Sequence, residues 1–324
     1  MTLVSICIPT HSAKRLEYLG GAVASVRAQT HTDTEILLWD NGHDEPLRAF
    51  AEQQMRNDPR VRYRRQNPSV SLAANFNSAL QAARGDYVVM LGDDDRLVPH
   101  AVETLLAAKQ PDTVVTFPNL RIIGAQGEHL AEQTRTHLVK YGRDRLPAGP
   151  VADPIACAWR NTFFLPGALL RTAELQRYGL HPAIRACDFL VFVQLASDGH
   201  SFLHIKDYLF EYRVHPDSAT SGGSIDEPAL SLLEPIPVPP HVEPLKRRQL
   251  GEILLAMVSA ALRSGDVERA RALIGHHYYP SLRDEPAYVI AQRVLAMLPP
   301  GLARPSALAA AKARRRTRAL AASR

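Results

Sequence analysis

Gly85-Asp86-Tyr87-Val88-Val89-Met90-Leu91-Gly92-Asp93-Asp94-Asp95-Arg96 is the stretch on which the fold turns. Its centre is short, apolar and rich in β-branched and aromatic residues, and Gly85-Asp86 opens it, which predicts a buried strand over 87–91. The three aspartates then emerge where that strand leaves its sheet, the usual location of ligand sites in open α/β folds. Adjacent carboxylates repel one another, which raises their pKa values unless a positive group sits among them. A divalent cation, Mg2+ or Mn2+, held through carboxylate oxygens and a ligand's phosphates, would supply that charge. A polar turn carrying three solvated aspartates is the alternative.

Outward from this strand, the first half alternates strand and helix signals. Leu3–Ile8, Glu35–Trp39, Val61–Arg65 and Thr113–Phe117 read as strands. Leu16, Leu19, Val23 and Val26 recur at helical spacing, Leu72–Ala83 reads as a helix, and Pro99 opens another through Leu106. Strand–helix–strand order with short turns implies an α/β fold, a mostly parallel sheet flanked by helices. Residues 121–150 are polar and poorly patterned. A helix over Asp188–Ala196 and a strand over Tyr208–Val214 follow.

Cys7, Cys157 and Cys187 are few and widely separated, a pattern of buried thiols in a reducing compartment. No apolar run approaches the roughly 20 residues of a membrane span, and Met1–Ile6 lacks the features of a signal peptide. A cytoplasmic location is expected. The net charge of +5 comes from the end of the chain: residues 303–324 hold seven basic residues and no acidic one, so the rest carries about −2. That excludes a uniformly basic nucleic-acid binder, and no nucleic-acid partner is expected.

A parallel sheet with an acidic strand end suggests a phosphorylated ligand, yet neither G-x-x-x-x-G-K-[ST] nor G-x-G-x-x-G is present. The first strand ends Ile8-Pro9-Thr10-His11 and the second Trp39-Asp40-Asn41-Gly42. Both tips belong on the sheet edge that carries Asp93–Asp95.

Three segments carry a resemblance: Val4-Ser5-Ile6-Cys7-Ile8-Pro9-Thr10, Ile36-Leu37-Leu38-Trp39-Asp40-Asn41-Gly42, and the aspartate strand. Together they resemble family 2 glycosyltransferases of the Rossmann-like GT-A fold, over roughly residues 3–220. The resemblance implies an inverting, metal-dependent transfer of a sugar from a nucleoside-diphosphate sugar, UDP or dTDP, to a hydroxyl acceptor. That acceptor would be a glycan, a lipid-linked sugar or a small molecule. Pro9, Thr10, His11 and Asp40 would line the nucleotide pocket, with Asp40 accepting from a pyrimidine N–H. Asp40 in Asp-Asn-Gly is also good turn chemistry. Asn75 and Asn77 would lie near the nucleotide, although a polar helix face explains them equally. Asp95 would bind metal, and Asp93 and Asp94 ribose or metal; Gly92 stands where many members have the first Asp of D-x-D-D. Along an extended segment, Asp93 and Asp95 face one way and Asp94 the other.

Inversion needs a carboxylate behind the acceptor hydroxyl. Asp188, in Arg185-Ala186-Cys187-Asp188-Phe189, resembles the family's general base, with Cys187 at the usual Glu position; a helix N-cap is the other reading. Asp153 and Asp198 are weaker alternatives. Tyr212-Arg213-Val214-His215 resembles the family's Y-R-x-H segment, in which the His returns to the metal or the diphosphate. Trp159 and Pro166-Gly167-Ala168 fall where members shape the acceptor pocket, and Trp159 could stack on a sugar or fill the core.

The expected organisation is a catalytic domain at 1–225, divided into a nucleotide half at 1–118 and an acceptor half at 119–225. A Pro-rich linker at 226–244, a helical extension at 245–302 and a basic tail at 303–324 follow. The helices are candidates for homodimerisation. The tail is a candidate for weak contact with an anionic membrane at its inner face, though solvation is favoured. Rival functions are a nucleotidyl- or phosphosugar-transferase, for which only Lys14-Arg15 near the first strand is offered, and a non-catalytic nucleotide-sugar-binding protein.

Overall fold

A computed structural model describes residues 2–182, 184, 187–215, 227–282 and 286–308 of the 324. They divide into two compact units, residues 1–222 and 223–324.

The first unit is built on one sheet. Its strands are β1 (Val4–Thr10), β2 (Thr34–Asp40), β3 (Val61–Arg65), β4 (Tyr87–Met90), β5 (Arg96–Leu97), β6 (Thr113–Ile123), β7 (Gly149–Pro150), β8 (Leu169–Arg171) and β9 (Ser201–Arg213). They run in the order β3-β2-β1-β4-β8-β6-β9-β5, with β7 paired to β9. The nucleotide half, β3-β2-β1-β4, is wholly parallel, as the strand–helix alternation implies. Beyond β4 the sheet is mixed: β8 runs antiparallel to both β4 and β6, and β9 runs parallel to β6.

Every residue of β1 and β2 is buried. Each is covered on both faces, which is why each reads as an unbroken apolar run rather than an alternating one. Val4, Ile6, Ile8, Ile36, Leu38, Val89 and Leu91 pack with Leu19, Val23 and Val26 of α1 (Leu16–Arg27) and with Val102 and Leu105 further along. At about 1.5–3 kcal/mol for each fully buried large aliphatic side chain, this cluster is the main source of rigidity behind the strand tips.

The other helices of this unit are α2 (Glu45–Asn57), α3 (Leu72–Ala82), α4 (Ala101–Ala108), α5 (Ala131–Lys140), α6 (Pro154–Trp159), α7 (Thr172–Tyr178) and α8 (Cys187–Ser197). The poorly patterned stretch 121–150 is ordered. It holds the end of β6, α5 and β7, pinned by the buried Arg143, whose guanidinium donates to Thr162 O (2.7 Å) and Pro118 O (2.8 Å). The three thiols are free and buried, and burial pushes that of Cys187 up to about 12.

The second unit is helical: α9 (Glu227–Leu233), α10 (Glu243–Ser264), α11 (Val267–Ile274) and α12 (Pro286–Met297), followed by helical turns over 300–308. The expected linker at 226–244 is therefore part helix. Ala229, Leu230 and Leu233 are buried, and Pro228 sits in the first turn, where its missing N–H costs nothing. Residues 303–308 of the expected basic tail are also helical, with Ala303 and Ala307 buried; the remaining residues, 309–324, lie outside the described residues.

Candidate active site

Register places the site. Thr10 pairs with Asp40 at the ends of β1 and β2. Met90, at the end of β4, pairs with Cys7, and Leu91 N donates to Cys7 O (2.9 Å). Gly92–Asp95 therefore continue alongside the end of β1, as parallel strands require. A tight turn, Asp95 N to Gly92 O (3.2 Å), leads into β5, where Arg96 pairs with Glu211 of β9. That pairing brings Arg213 and His215, distant in sequence, onto the aspartates.

Each aspartate has its own task. Asp93 is buried; its Oδ2 accepts from Thr10 Oγ1 (2.8 Å) and its Oδ1 from Arg15 (2.9 Å). Asp95 is buried as well, and its Oδ1 accepts from Arg213 N (2.9 Å). Asp94 is the partly accessible member. Its Oδ2 lies 2.9 Å from His215 Nε2 and 3.4 Å from Arg15. Asp93 and Asp95 are inward and Asp94 apart, but through the turn closed by Asp95 N and Gly92 O rather than through the extended segment expected. Burial, then the Asp94 charge, raises the carboxyls of Asp93 and Asp95, that of Asp95 well above the ordinary range.

Arg15 is the positive group that the repulsion argument demands. Ser12 caps the short 3-10 turn at Ala13–Arg15 by accepting from Lys14 N, and that turn aims the Arg15 side chain at the triplet. The sequence reading saw Lys14-Arg15 only as a feature of a rival enzyme. A signal was available, since a basic residue just after a strand tip lies on the ligand edge of the sheet. Tyr18 was also missed. It stands three residues on, one helical turn from Arg15; its ring is 4.9 Å from that of His215 and lies under the Arg213 guanidinium at 4.8 Å. Arg213 further donates to the backbone oxygens of Asp94, Gly124 and Ala125, locking the turn from behind.

Gly92 has a steric reason. A Cβ there would lie 2.5 Å from Asp95 Oδ2 and 2.9 Å from Asp94 Oδ1. With the aspartates arranged as they are, no larger residue fits, so the family's first Asp cannot occupy this position without moving the other two.

Other expected residues take different places. Asp40 has no exposed surface; its carboxylate accepts from Gly42 N (2.7 Å), Tyr63 Oη (2.8 Å) and Arg65 Nε (2.9 Å). It shapes the end of β2, with its carboxylate enclosed by these three donors. Asn75 is buried and ties α3 to β2, donating to Trp39 O (3.0 Å) and accepting from Gln66 Nε2 (3.2 Å). Asn77 bonds the backbone of Leu180 through both amide atoms. Pro9 is buried beside Thr10, whereas His11 is exposed.

Asp188 stands in the first turn of α8, partly buried, with the backbone amides of residues 188 and 189 favouring its charged form. Burial pushes its carboxyl up, which makes it a stronger base than a solvated aspartate. Trp159 is fully buried and packs edge-on against Phe189 (5.8 Å between centroids), so it braces the start of α8 rather than presenting a stacking face. Asp153 caps α6 through Ala156 N (2.9 Å), and Asp198 accepts from the Tyr178 hydroxyl. Pro166 bridges to Met90, and Gly167 N donates to Met90 O (3.0 Å), setting this loop beside the triplet strand. Arg185, Ala186, Pro216, Asp217 and Ser218 lie outside the described residues.

The donor set suits a divalent cation in part. Asp94 and His215 offer one oxygen and one imidazole nitrogen within 2.9 Å. No three of Asp93, Asp94, Asp95 and His215 bring ligand atoms within 4.8 Å of one another. Such a pair fits an ion whose remaining positions are filled by phosphate oxygens and water.

A profile of the family described as "Glycosyl transferase family 2" matches residues 5–163. The chain is 36% identical over 225 residues to chondroitin synthase of Escherichia coli, covering 67% of this chain and 30% of that protein. It is 28% identical over 123 residues to GalNAc(5)-diNAcBac-PP-undecaprenol beta-1,3-glucosyltransferase of Campylobacter jejuni, covering 38% and 39%. The chain thus spans well under half the length of either relative. Among solved structures, S. aureus TarS 1-349 in complex with UDP-GlcNAc superposes with a TM-score of 0.60 at 15% identity, over 95% of this chain and 88% of that one. At that identity the likeness shows the fold, GT-A, alone. On these matches, the chain belongs to the family 2 glycosyltransferases.

Proposed function

We propose that this chain is an inverting, divalent-metal-dependent glycosyltransferase that moves a sugar from a nucleoside-diphosphate sugar to a hydroxyl of a glycan or lipid-linked sugar. The observation that carries this reading is the convergence of Asp94 and His215, 2.9 Å apart, over the turn that follows β4. Similar proteins support it: one structural neighbour was solved with UDP-GlcNAc and another, a mannosyltransferase, with GDP-Man and Mn2+. The names chondroitin synthase and GalNAc(5)-diNAcBac-PP-undecaprenol beta-1,3-glucosyltransferase favour a glycan or lipid-linked sugar as acceptor, and the UDP-GlcNAc complex favours a UDP donor.

In this mechanism Asp94 and His215 would hold the cation, Mn2+ suiting the imidazole better than Mg2+, and the ion would supply positive charge for the diphosphate leaving group. Asp95, expected as a direct metal ligand, is instead placed behind the turn, where its carboxyl accepts from Arg213 N, while Asp93 and Thr10 fix the turn. Asp188 accepts the acceptor's proton as the hydroxyl oxygen bonds to the anomeric carbon. The bond from that carbon to the diphosphate oxygen breaks, and its electron pair leaves with the diphosphate. A nucleotidyl-transfer reading loses its one support, because Arg15 is committed to Asp93.

The test pairs two measurements. UDP-, dTDP- and GDP-sugars are screened by thermal shift with and without Mn2+; at about 100 times Kd a ligand adds about 2.7 kcal/mol of stability. Absence of any metal-dependent stabilisation refutes the donor reading. Asp188→Asn is expected to keep donor binding and lose roughly 10²–10⁴ in turnover, and retained turnover assigns the base elsewhere.

A further inference from the structure

The helical unit holds a side-chain group that glycosyl transfer does not use. Glu234 follows α9, and His276 and His277 follow α11. His276 Nε2 lies 3.3 Å from Glu234 Oε2, and His277 Nε2 lies 3.7 Å from Glu234 Oε1. One potential ligand atom from each lies within 4.8 Å of the other two, and among the described residues no other trio of His, Cys, Asp or Glu does so. Both strands of chain are anchored. Lys246 Nζ donates to Glu234 O and Ile236 O (2.7 Å each), and Tyr279 N donates to His276 O (2.9 Å).

We propose that Glu234, His276 and His277 form a second metal site, for a borderline cation of the Zn2+ type, separate from the aspartate turn. Two imidazoles and one carboxylate suit Zn2+, Co2+ or Ni2+ rather than Mg2+ or Ca2+. Two ligands about 2.0–2.1 Å from a tetrahedral ion lie about 3.3–3.4 Å apart; His276 already stands at that distance from one Glu234 oxygen, and His277, at 3.7 Å from the other, needs only to close by a few tenths of an ångström. Three protein donors leave a fourth position for water. A bound ion would tie the segment after α9 to the turn after α11, a staple within the helical unit.

Two features moderate the affinity. His276 Nδ1 now accepts from Tyr278 N (3.2 Å); coordination through Nε2 moves the ring hydrogen to Nδ1 and forfeits that long hydrogen bond. The Lys246 ammonium, close to the Glu234 backbone, opposes a second cation. The site is thus expected to be weaker than a closed four-ligand structural zinc.

The experiment uses the full chain stripped with EDTA. Equilibrium dialysis against Zn2+ and a visible-absorption titration with Co2+ are run on wild type, His277→Ala and Glu234→Gln. His277 is largely exposed, at 63% of its side chain, and Glu→Gln keeps the shape, so both variants are expected to melt like wild type in EDTA. Wild type is expected to bind one more Zn2+ equivalent than either variant, with the tetrahedral Co2+ band lost in both and affinity down about 10–100-fold or more. Equal Zn2+ uptake by all three proteins, or a wild-type Co2+ spectrum without the tetrahedral band, overturns the proposal.

Discussion

Arg15→Gln removes the guanidinium that bonds the carboxylates of the aspartate turn, and its effect can be worked out from the site. Arg15 and Asp93 meet at 2.9 Å with side chains only 9% and 4% accessible. At an effective dielectric near 20, their gross attraction is about 6 kcal/mol. Breaking a buried pair by deleting one partner costs about 3–5 kcal/mol, because the other charge stays behind without compensation. In a unit of this size, each kcal/mol moves Tm by about 2–4 °C, so a fall of roughly 6–20 °C is expected. The assay is a double-mutant cycle in EDTA with Arg15→Gln, Asp93→Asn and both together, followed by thermal or urea unfolding. The double variant should be more stable than the sum of the single losses by at least about 1.5 kcal/mol, since a neutral amide in place of the Asp93 carboxylate leaves no buried charge to strand. Mn2+ should stabilise Arg15→Gln more than wild type, because a cation at Asp94 and His215 then meets no guanidinium on the same carboxylate oxygen. Losses that simply add, within about 0.5 kcal/mol, would show that Arg15 is a surface residue that happens to lean on Asp93 and would refute this account of how the turn is neutralised.

Asp95→Asn tests the burden of the innermost carboxylate. Its folded pKa lies above the unfolded one, so across that interval the folded state binds more protons and metal-free stability falls as pH rises. The Asn variant, which keeps the acceptor for Arg213 N, should melt higher than wild type at pH 7–8 in EDTA, converge with it toward pH 4 and respond less to Mn2+; a lower melting point at neutral pH refutes this. Gly92→Ala should cost about 1–3 kcal/mol and weaken Mn2+-dependent donor binding at least tenfold, since its Cβ displaces two carboxylates. Unchanged donor binding by Gly92→Ala, read by calorimetry, refutes the steric reading of that position.

The parallel half of the sheet was legible because strands covered on both faces read as continuous apolar runs bounded by turn residues, as at 4–10 and 34–40. The acceptor half was less so. Thr113–Ile123 carries Pro118, which in sequence argues against a strand, and the sheet absorbs it with register shifts on either side of Asn119. Ser201–Arg213 was seen only from Tyr208 because Lys206 and Asp207, both exposed, interrupt its pattern. The helix over 131–140 buries only Thr134 and Leu138, too little for a periodic signal. Arg143, which anchors that region, looks in sequence like any surface arginine. The site divided in the same way. Strand-end residues were found because position along a strand is local information, whereas the partners of Asp40, Asn75 and Trp159 depend on tertiary neighbours that no local pattern encodes.

Three consecutive aspartates can neither share one cation equally nor all remain in water. The chain separates them by geometry: Asp93 is consumed by Arg15 and Thr10, Asp95 by Arg213 N and burial, and Asp94 is left partly accessible beside His215. Neutralising one carboxylate with a permanent guanidinium lowers the repulsion that would otherwise expel the turn from the sheet edge. Gly92 follows from the same constraint, because the inward pair can fold under the turn only if the preceding residue has no side chain. A fourth aspartate in its place would add charge where none can be compensated and volume where none is available. The departure from the family's D-x-D-D pattern and the presence of Arg15 are thus two parts of one solution. A substitution pattern that repairs the first, Gly92→Asp, should therefore disable the turn unless Arg15 and the inward carboxylates are rebuilt with it.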